Sequence, residues 1–168
     1  MKHLILLVFI IFGYSFEIKY KTLTTDFNQT IKSDNKTIIY KGKLFIKDNL
    51  IFWHYKKPIE KKIWVLQNKI YVYEPDLYQV TIYSTNKDDD FFNLLKTAKK
   101  IDNNLYVKKY NDKTIYFSIK NGLVKKIYYK DKIDNLVTLN FYNTNKGDIN
   151  KSLFKPSFES DVDIIYSK

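Results

Sequence analysis

The sequence predicts a mainly β domain built on a single curved antiparallel sheet, and three observations support this. The 168-residue chain is 45% hydrophobic and 17% aromatic, with fifteen Tyr and twelve Phe, residues that favour pleated, half-buried strands. Apolar and polar residues alternate with a period of two along most of the chain. Short turns rich in Asn and Asp separate the alternating segments. About ten to eleven strands joined in this way make an up-and-down sheet that curves towards a barrel.

The first fifteen residues have the pattern of a secretory signal peptide. Met1-Lys2-His3 is a short basic start, residues 4–12 are an unbroken apolar run, and Gly13 and Ser15 are the small residues of a cleavage site. The run is too short to span a bilayer, which needs about 20 residues, so a retained membrane anchor is the weaker alternative. We expect cleavage after Ser15 and a mature domain of residues 16–168 outside the cytoplasm.

The mature chain alternates as a series of strands would. Pro58 ends one strand because it has no backbone N–H to donate to a ladder, and Asn121-Gly122 is a strong signal for a type I′ hairpin turn. Residues 149–154 predict a short helical turn, and the chain ends in an extended tail from Pro156 to Ile165. The predicted strands are residues 16–21, 23–31, 37–47, 51–57, 63–66, 69–73, 77–84, 105–110, 114–120, 123–130 and 136–142.

One segment has helical rather than strand periodicity. Asp88-Asp89-Asp90 suits the positive end of a helix dipole, and we predict a helix from Asp88 to Lys100. A single amphipathic helix beside a long sheet must cover apolar surface. The apolar residues that recur at helical spacing are Phe91, Leu94, Leu95, Ala98 and Ile101.

Several classes of function lack the residues they need. The chain has no Cys, which excludes disulfides, thiolate metal sites and a Cys nucleophile, and only His54 remains after signal cleavage. No Gly-rich phosphate loop and no Ser nucleophile elbow is present. We therefore predict no catalytic residues, no metal and no cofactor, and a protein that is not an enzyme.

The net charge of +11 suits an anionic membrane surface better than nucleic acid. The lysines are scattered among acidic residues, and no nucleic-acid recognition motif accompanies them. We predict no nucleic-acid partner. The aromatic face of the sheet leaves two interpretations open: the sheet closes tightly on a filled interior, or its concave face holds an apolar ligand.

Several segments resemble the outer-membrane lipoprotein carrier family, LolA, and they occur in the family's order over essentially the whole mature chain. The most specific is the run from Tyr73 to Val80, which is similar to the family's Tyr-x-Pro-x-x-x-Gln pattern. The other segments are Phe27-x-Gln29 after a short polar lead from Leu23, Gly42-x-Leu44 with its strand, Phe52-Trp53 with the trailing Pro58, and the tail from Phe154 to Asp163.

The resemblance implies an open, incomplete antiparallel β-barrel with helical cover over its mouth. Its cavity would take the acyl chains of lipoproteins that the LolCDE transporter releases from the inner membrane. The carrier would be a periplasmic monomer that delivers its cargo to the outer membrane, in many bacteria through LolB. LolB has an acylated N-terminal Cys, and the absence of Cys here favours the soluble carrier.

Strand parity and helix face select the residues that would hold the acyl chains. A register slip of one residue would put the opposite face inside. The expected cavity residues are Leu44, Ile46, Ile51, Trp53, Tyr55, Tyr71 and Tyr73, and the expected lid residues are Phe91, Phe92 and Leu95.

Two departures from the family pattern concern the lid. The segment from Phe16 to Thr22 alternates like a strand, so the family's N-terminal helix is shortened or lost and the lid is mainly the predicted helix. The Arg that helps to hold the family's lid shut is absent. Lys47 is the candidate replacement, although it lacks the planar fork of Arg. The alternative functions are a periplasmic lipid-sensing or regulatory interaction domain of related fold, and a structural β-domain with a filled interior.

Overall fold

The protein folds as one twelve-stranded sheet with one short helix, within the part of the chain that the structure describes. The computed structural model describes residues 21–84 and 91–167, without the side chains of Phe91 and Phe92. The predicted signal peptide, its cleavage site and all but the last residue of the first predicted strand lie outside these residues.

The elements follow the predicted turns closely. The described residues also include two short 3₁₀ turns, Pro75–Leu77 and Lys151–Phe154. The strands and helix are β1 (Thr22–Lys32), β2 (Thr37–Lys47), β3 (Leu50–Lys57), β4 (Lys61–Val65), β5 (Lys69–Glu74), β6 (Gln79–Ser84), α1 (Phe91–Lys96), β7 (Lys99–Asp102), β8 (Leu105–Tyr110), β9 (Lys113–Lys120), β10 (Leu123–Lys130), β11 (Leu136–Asn145) and β12 (Asp163–Ser167).

The strand order places the first strand near the middle of the sheet. The order is β12-β6-β5-β4-β3-β2-β1-β11-β10-β9-β8-β7. All neighbours are antiparallel except β12 and β6, which are parallel; this corrects the prediction of a purely antiparallel sheet. Within the described residues β12 and β7 each pair on one side only, so the sheet is not closed.

The helix is shorter than the sequence predicts. Helix α1 ends at Lys96, and Lys99–Asp102 forms β7, which pairs with the start of β8. Ile101 is 49% exposed and does not continue an apolar helical stripe. The turn at Asn103-Asn104 lets this segment fold back on β8, and the backbone hydrogen bonds of that ladder outweigh the local helical spacing. The predicted start of the helix, residues 88–90, lies outside the described residues.

The hairpin turn at Asn121-Gly122 is confirmed. Both residues adopt the left-handed backbone conformation, with φ of 52° and 73°, as a type I′ turn requires. The turn joins β9 to β10 and fixes the register in which Phe117 faces Ile127.

The sheet curves, which gives it a concave and a convex face. The rings of Trp53 on β3 and Phe141 on β11 lie 6.0 Å apart, although β2 and β1 separate their strands. Three strand spacings in a flat sheet would put these backbones about 14 Å apart, and curvature brings their side chains into contact. We call the face that carries Phe27, Trp53 and Phe141 concave, and the opposite face convex.

Both faces bury apolar side chains. The concave cluster of buried residues consists of Leu23, Phe27, Leu44, Ile46, Ile51, Leu95, Ala98, Phe117, Ile119, Ile127, Val137, Leu139 and Phe141. The convex cluster consists of Phe52, Trp64, Tyr73, Val80, Ile82, Ile149 and Phe154. The chain after β11 supplies Ile149 and Phe154, so a C-terminal segment covers the convex face.

Gly42 lets the concave cluster pack against the backbone. A Cβ atom at this position would lie 2.7 Å from Cζ of Phe27 and would overlap the carbonyl oxygen of His54. Only a residue without a side chain fits there. The Phe27 ring therefore lies directly over the Gly42 backbone, next to the residues that line the candidate site.

Candidate functional site

Most of the predicted cavity residues lie together on the concave face. Leu44, Ile46 and Ile51 are buried in the concave cluster, and Trp53 and Tyr55 pack against it. Leu95 of α1 is 1% exposed and belongs to the same cluster, so the helix packs on this face. The side chains of the other two predicted lid residues, Phe91 and Phe92, lie outside the described part of the structure.

Tyr71 and Tyr73 lie on the convex face, and their placement with the other cavity residues is wrong. Tyr73 is buried in the convex cluster, and Tyr71 packs against that cluster. Trp53 pairs with Ile63, and Ile63 pairs with Val72. Cross-strand partners share a face, so the aliphatic residues of β4 and β5 are the concave ones.

The second half of the chain supplies as much of the concave face as the first half. Phe117 and Ile119 of β9 are two residues apart, as are the concave residues of β11. The signal that identifies them is the same alternation that identifies Ile51, Trp53 and Tyr55. The buried residues that the predicted set omits are Leu23, Phe27, Ala98, Phe117, Ile119, Ile127, Val137, Leu139 and Phe141.

An aromatic cluster fills the middle of the concave face. The Phe27 ring lies 5.2 Å from Trp53 and 4.8 Å from Tyr55, both in edge-to-face arrangements, which aromatic quadrupoles favour. Trp53 in turn contacts Phe141. Phe27 is fully buried, so this cluster links β1, β3 and β11 across the face.

Among the described residues, two small voids flank the aromatic cluster. The first, which we call the Gln29 cavity, has a volume of about 240 Å³, and the second has a volume of about 20 Å³. Pockets for small ligands are usually about 300–1,000 Å³, so both are small for a lipid. Gln29, Ile31, Tyr40, Tyr55, Ile59, Lys61, Ile63 and Glu74 line the first; Leu23, Thr25, Leu44, Ile46, Leu123, Val124, Phe141 and Thr144 line the second.

A larger groove, of about 760 Å³, lies at the ends of β9 and β10. It includes Lys113, Lys130, Asp131, Lys132 and Asp134 in its lining. These charged side chains do not suit an acyl chain, because burying charged groups under hydrocarbon is costly. The concave face with its two smaller voids is therefore the better candidate site.

A polar contact lies at the end of the concave face that borders the Gln29 cavity. The Tyr55 hydroxyl donates a hydrogen bond to Oε1 of Gln29 at 2.7 Å. Burial, with smaller contributions from Tyr129 and Tyr40, raises the pKa of Tyr55 far above its ordinary value, so the hydroxyl keeps its proton. Nearby, Lys61 and Glu74 form an ion pair at 2.8 Å.

The C-terminal segment is fastened to the convex face by specific hydrogen bonds. Trp64 donates from Nε1 to the carbonyl of Leu153 at 3.0 Å. The Lys47 ammonium donates to Oδ1 of Asp148 at 2.8 Å and to the carbonyl of Ile149. The hypothesis that Lys47 holds the lid shut is therefore wrong: it bonds on the convex side, whereas α1 packs on the concave side.

The Lys47–Asp148 contact gives a testable pH dependence. Hydrogen bonds from Lys47 and from the Ile149 amide, and then the charge of Lys47, lower the pKa of Asp148. A lowered native pKa stabilises the fold above the unfolded-state pKa, and this stabilisation is lost as the pH falls through the native value. We expect Asp148→Asn to lose less stability than the wild type between pH 7 and pH 3, measured by urea unfolding.

Asp161→Asn is a matched control, since Asp161 is an exposed carboxylate of the same segment. We expect it to show the same acid response as the wild type. Equal pH profiles for Asp148→Asn and the wild type would contradict the role of the Lys47 contact.

His54 lies on the convex side, where its contacts are those of a structural residue. Its Nε2 lies 3.0 Å from Oε1 of Glu60, and its ring stacks on Phe52 at 5.9 Å. No group of three metal-ligating side chains comes together within residues 21–84 and 91–167. In the same part of the chain, no helix has the length and apolar character that crossing a membrane requires.

Solved structures share this fold. A LolA superfamily protein, NE2245 from Nitrosomonas europaea, aligns with a TM-score of 0.53 over 84% of this chain and 93% of its own, at 14% identity. An uncharacterised conserved protein from Thermus thermophilus aligns with a TM-score of 0.57 over 89% of this chain and 92% of its own, at 7% identity. At these identities the similarity establishes the fold alone.

Sequence comparison establishes the family. The family model described as outer membrane lipoprotein carrier protein LolA matches residues 18–113. A Campylobacter jejuni protein is 29% identical over 98% of this chain and 99% of its own length. A Helicobacter pylori protein is 33% identical over 86% of this chain and 80% of its own length. Both relatives bear the name outer-membrane lipoprotein carrier protein, and the chain described here belongs to this LolA family.

Proposed function

We propose that this protein carries lipoproteins across the periplasm by holding their acyl chains against the concave face of its sheet. An acyl chain in water costs about 0.8 kcal/mol for each exposed CH₂ group, so the cargo needs a shield. The observation that carries the proposal is the apolar concave face, which continues across β1, β2, β3, β9, β10 and β11 under α1. The inner-membrane LolCDE transporter would supply the cargo, and the outer membrane, through LolB where present, would receive it.

The cargo site consists of the concave residues rather than all the aromatic ones. Leu44, Ile46, Ile51, Trp53 and Tyr55 form one wall, and the buried residues of β9 to β11 form the other. Tyr71 and Tyr73 lie outside this site. The sheet then acts as an open, incomplete barrel, with α1 as the cover of its mouth.

We expect the concave face to open when cargo enters. The two voids that the described residues line are small for acyl chains, and Leu95 and Ala98 are buried in the cluster that would receive them. The described part of α1 has six residues, and short helices are held mainly by packing. Displacement of α1 would expose the face, and cargo would compete with the helix for the same apolar surface.

Trp53→Asp tests the carrier function. We expect the purified wild-type protein to carry acylated lipoprotein from cells, and the variant to carry at least tenfold less, because a carboxylate buried against an acyl chain is costly. The measurement is mass spectrometry of lipids and lipoproteins that co-purify with each protein, after circular dichroism has shown that each is folded.

Two controls accompany this experiment. Tyr166→Asp makes a comparable change on β12, where Tyr166 is 77% exposed, and we expect normal carriage. Trp53→Phe keeps an aromatic ring in the cluster and should retain most of the cargo. The proposal would be contradicted if the wild-type protein never carried lipid or lipoprotein. It would also be contradicted if folded Trp53→Asp carried as much lipoprotein as the wild type.

A further inference from the structure

We propose that the Gln29 cavity is a polar subsite for the neutral ester carbonyls at the head of a lipoprotein's acyl chains. This inference rests on the proposed function, and it assigns a specific task to one end of the concave face. A triacylated cysteine offers two ester carbonyls within a few bonds of each other, without a charge. The subsite therefore has a chemically defined ligand.

The Gln29–Tyr55 contact orients the amide for this task. Because the Tyr55 hydroxyl donates to Oε1 of Gln29, the amide oxygen is occupied and the Nε2 group points away from Tyr55. The buried hydroxyl keeps its proton, which preserves this orientation. Nε2 carries two N–H donors, and no described side chain or backbone group accepts from them.

The amide donors are open to the cavity rather than sealed inside the protein. Among the described residues, no buried side-chain nitrogen or oxygen lacks a hydrogen-bond partner, so the unpaired Nε2 is accessible. Gln29 lines the cavity together with Tyr55. A carbonyl group in the cavity could therefore accept a hydrogen bond that Gln29 does not make within the protein.

The apolar walls of the cavity lead to the acyl-binding face. Ile31, Ile59 and Ile63 line the cavity beside the polar groups. Phe27 lies two residues before Gln29 on the same strand and on the same face, and it begins the aromatic cluster. A ligand with its carbonyls at Gln29 can thus direct its hydrocarbon towards Phe27 and Trp53 when the face opens.

The charges around the cavity favour a neutral head group. Lys61 is already paired with Glu74 at 2.8 Å, so its ammonium is compensated. The residues that line the cavity therefore offer no uncompensated cation to the carboxylate of a free fatty acid or the phosphate of a phospholipid. Ester carbonyls carry no charge and need no such cation, and they are acceptors that a neutral amide donor suits.

Two lipopeptide probes of equal chain length test the subsite. The first is a tripalmitoylated Cys-Ser-Ser peptide, and the second replaces its two esters by ethers. We expect the mature wild-type protein to bind the ester probe about fivefold more tightly, which corresponds to one hydrogen bond. We expect Gln29→Leu to bind both probes equally, with the wild-type affinity for the ether probe. Isothermal titration calorimetry measures both affinities.

Further variants separate binding from folding. Gln29→Leu leaves the Tyr55 hydroxyl unpaired, so the double variant Gln29→Leu/Tyr55→Phe repeats the test without this penalty. Gln67→Leu makes the same change in an exposed turn and should keep the preference for esters. Palmitate is the third ligand, and we expect the wild type to bind it more weakly than the ester probe.

The outcomes distinguish the subsite from the carrier function. Equal wild-type affinity for both lipopeptides, an ester preference that survives in the double variant, or palmitate bound as tightly as the ester probe would overturn the subsite and leave the carrier function standing. Failure of the wild type to bind either lipopeptide would overturn both.

Discussion

Phe27→Ala is expected to lower the free energy of unfolding by about 3–5 kcal/mol. Phe27 is fully buried, and its ring contacts both Trp53 and Tyr55 edge-to-face. Its removal leaves a cavity between β1 and β3 and uncovers the Gly42 backbone. Urea unfolding followed by circular dichroism measures the loss.

Tyr166→Ala is the control for Phe27→Ala. Tyr166 is 77% exposed on the edge strand β12, so we expect its removal to change stability by no more than about 0.5 kcal/mol. If both variants lost equally little stability, the central role of Phe27 in the concave cluster would be wrong.

Trp64→Ala is expected to have an effect of similar size, about 3–5 kcal/mol, but on the opposite face. Trp64 is 3% exposed, stacks on Phe52 at a ring distance of 5.0 Å and donates to the Leu153 carbonyl. The substitution removes both contacts, so the C-terminal segment loses its anchor. We expect faster hydrogen exchange at the Leu153 and Lys155 amides, which bond within this segment, measured by mass spectrometry.

Trp64→Phe separates the contribution of ring packing from that of the hydrogen bond to Leu153. It keeps the ring on Phe52 but cannot donate to Leu153, so its expected cost is about 1 kcal/mol for the lost hydrogen bond, with some loss of packing. Unchanged hydrogen exchange near Leu153 in Trp64→Ala would show that Trp64 does not anchor the segment.

Strand parity could be read from the sequence where only one face of a strand is strongly apolar. In β2, Leu44 and Ile46 share one face and Lys43, Phe45 and Lys47 share the other, so the two lysines mark the less buried side. The Asn121-Gly122 turn was similarly clear, because few residue pairs adopt two successive left-handed conformations. These local rules were sufficient to place five of the seven predicted cavity residues on the concave face.

Where both faces of a strand are apolar, alternation along the sequence did not predict which face is concave. In β5, Val72 lies between Tyr71 and Tyr73, so alternation does not reveal which set faces the concave side. The convex set is buried because a segment more than 70 residues later in the sequence covers it, for example through Trp64 and Leu153, which are 89 positions apart. Local periodicity contains no information about such a distant cover.

The end of the helix and the last strand were not predicted correctly from the sequence, for a related reason. Lys99–Asp102 keeps helical spacing with α1 but gains a partner in β8, and Asp163–Ser167 becomes a strand only because β6 accepts it in parallel. Pairing with another strand therefore determined the secondary structure of both segments. The Gln29 amide was not singled out as a site residue because its importance depends on Tyr55, which lies 26 positions later.

The position of β1 in the sheet sets an order of assembly. The first six strands form a continuous run of neighbours, β6 to β1, whose two edges are completed by β12 and β11. The β1–β11 contact joins Thr25 to Tyr142, 117 positions apart, and such non-local pairing forms slowly. Until the last part of the chain is available, both edges of this run expose unpaired backbone groups, which promote aggregation. A truncation before β11 would therefore leave a sheet that is open at both edges, and a nascent chain passes through the same vulnerable stage.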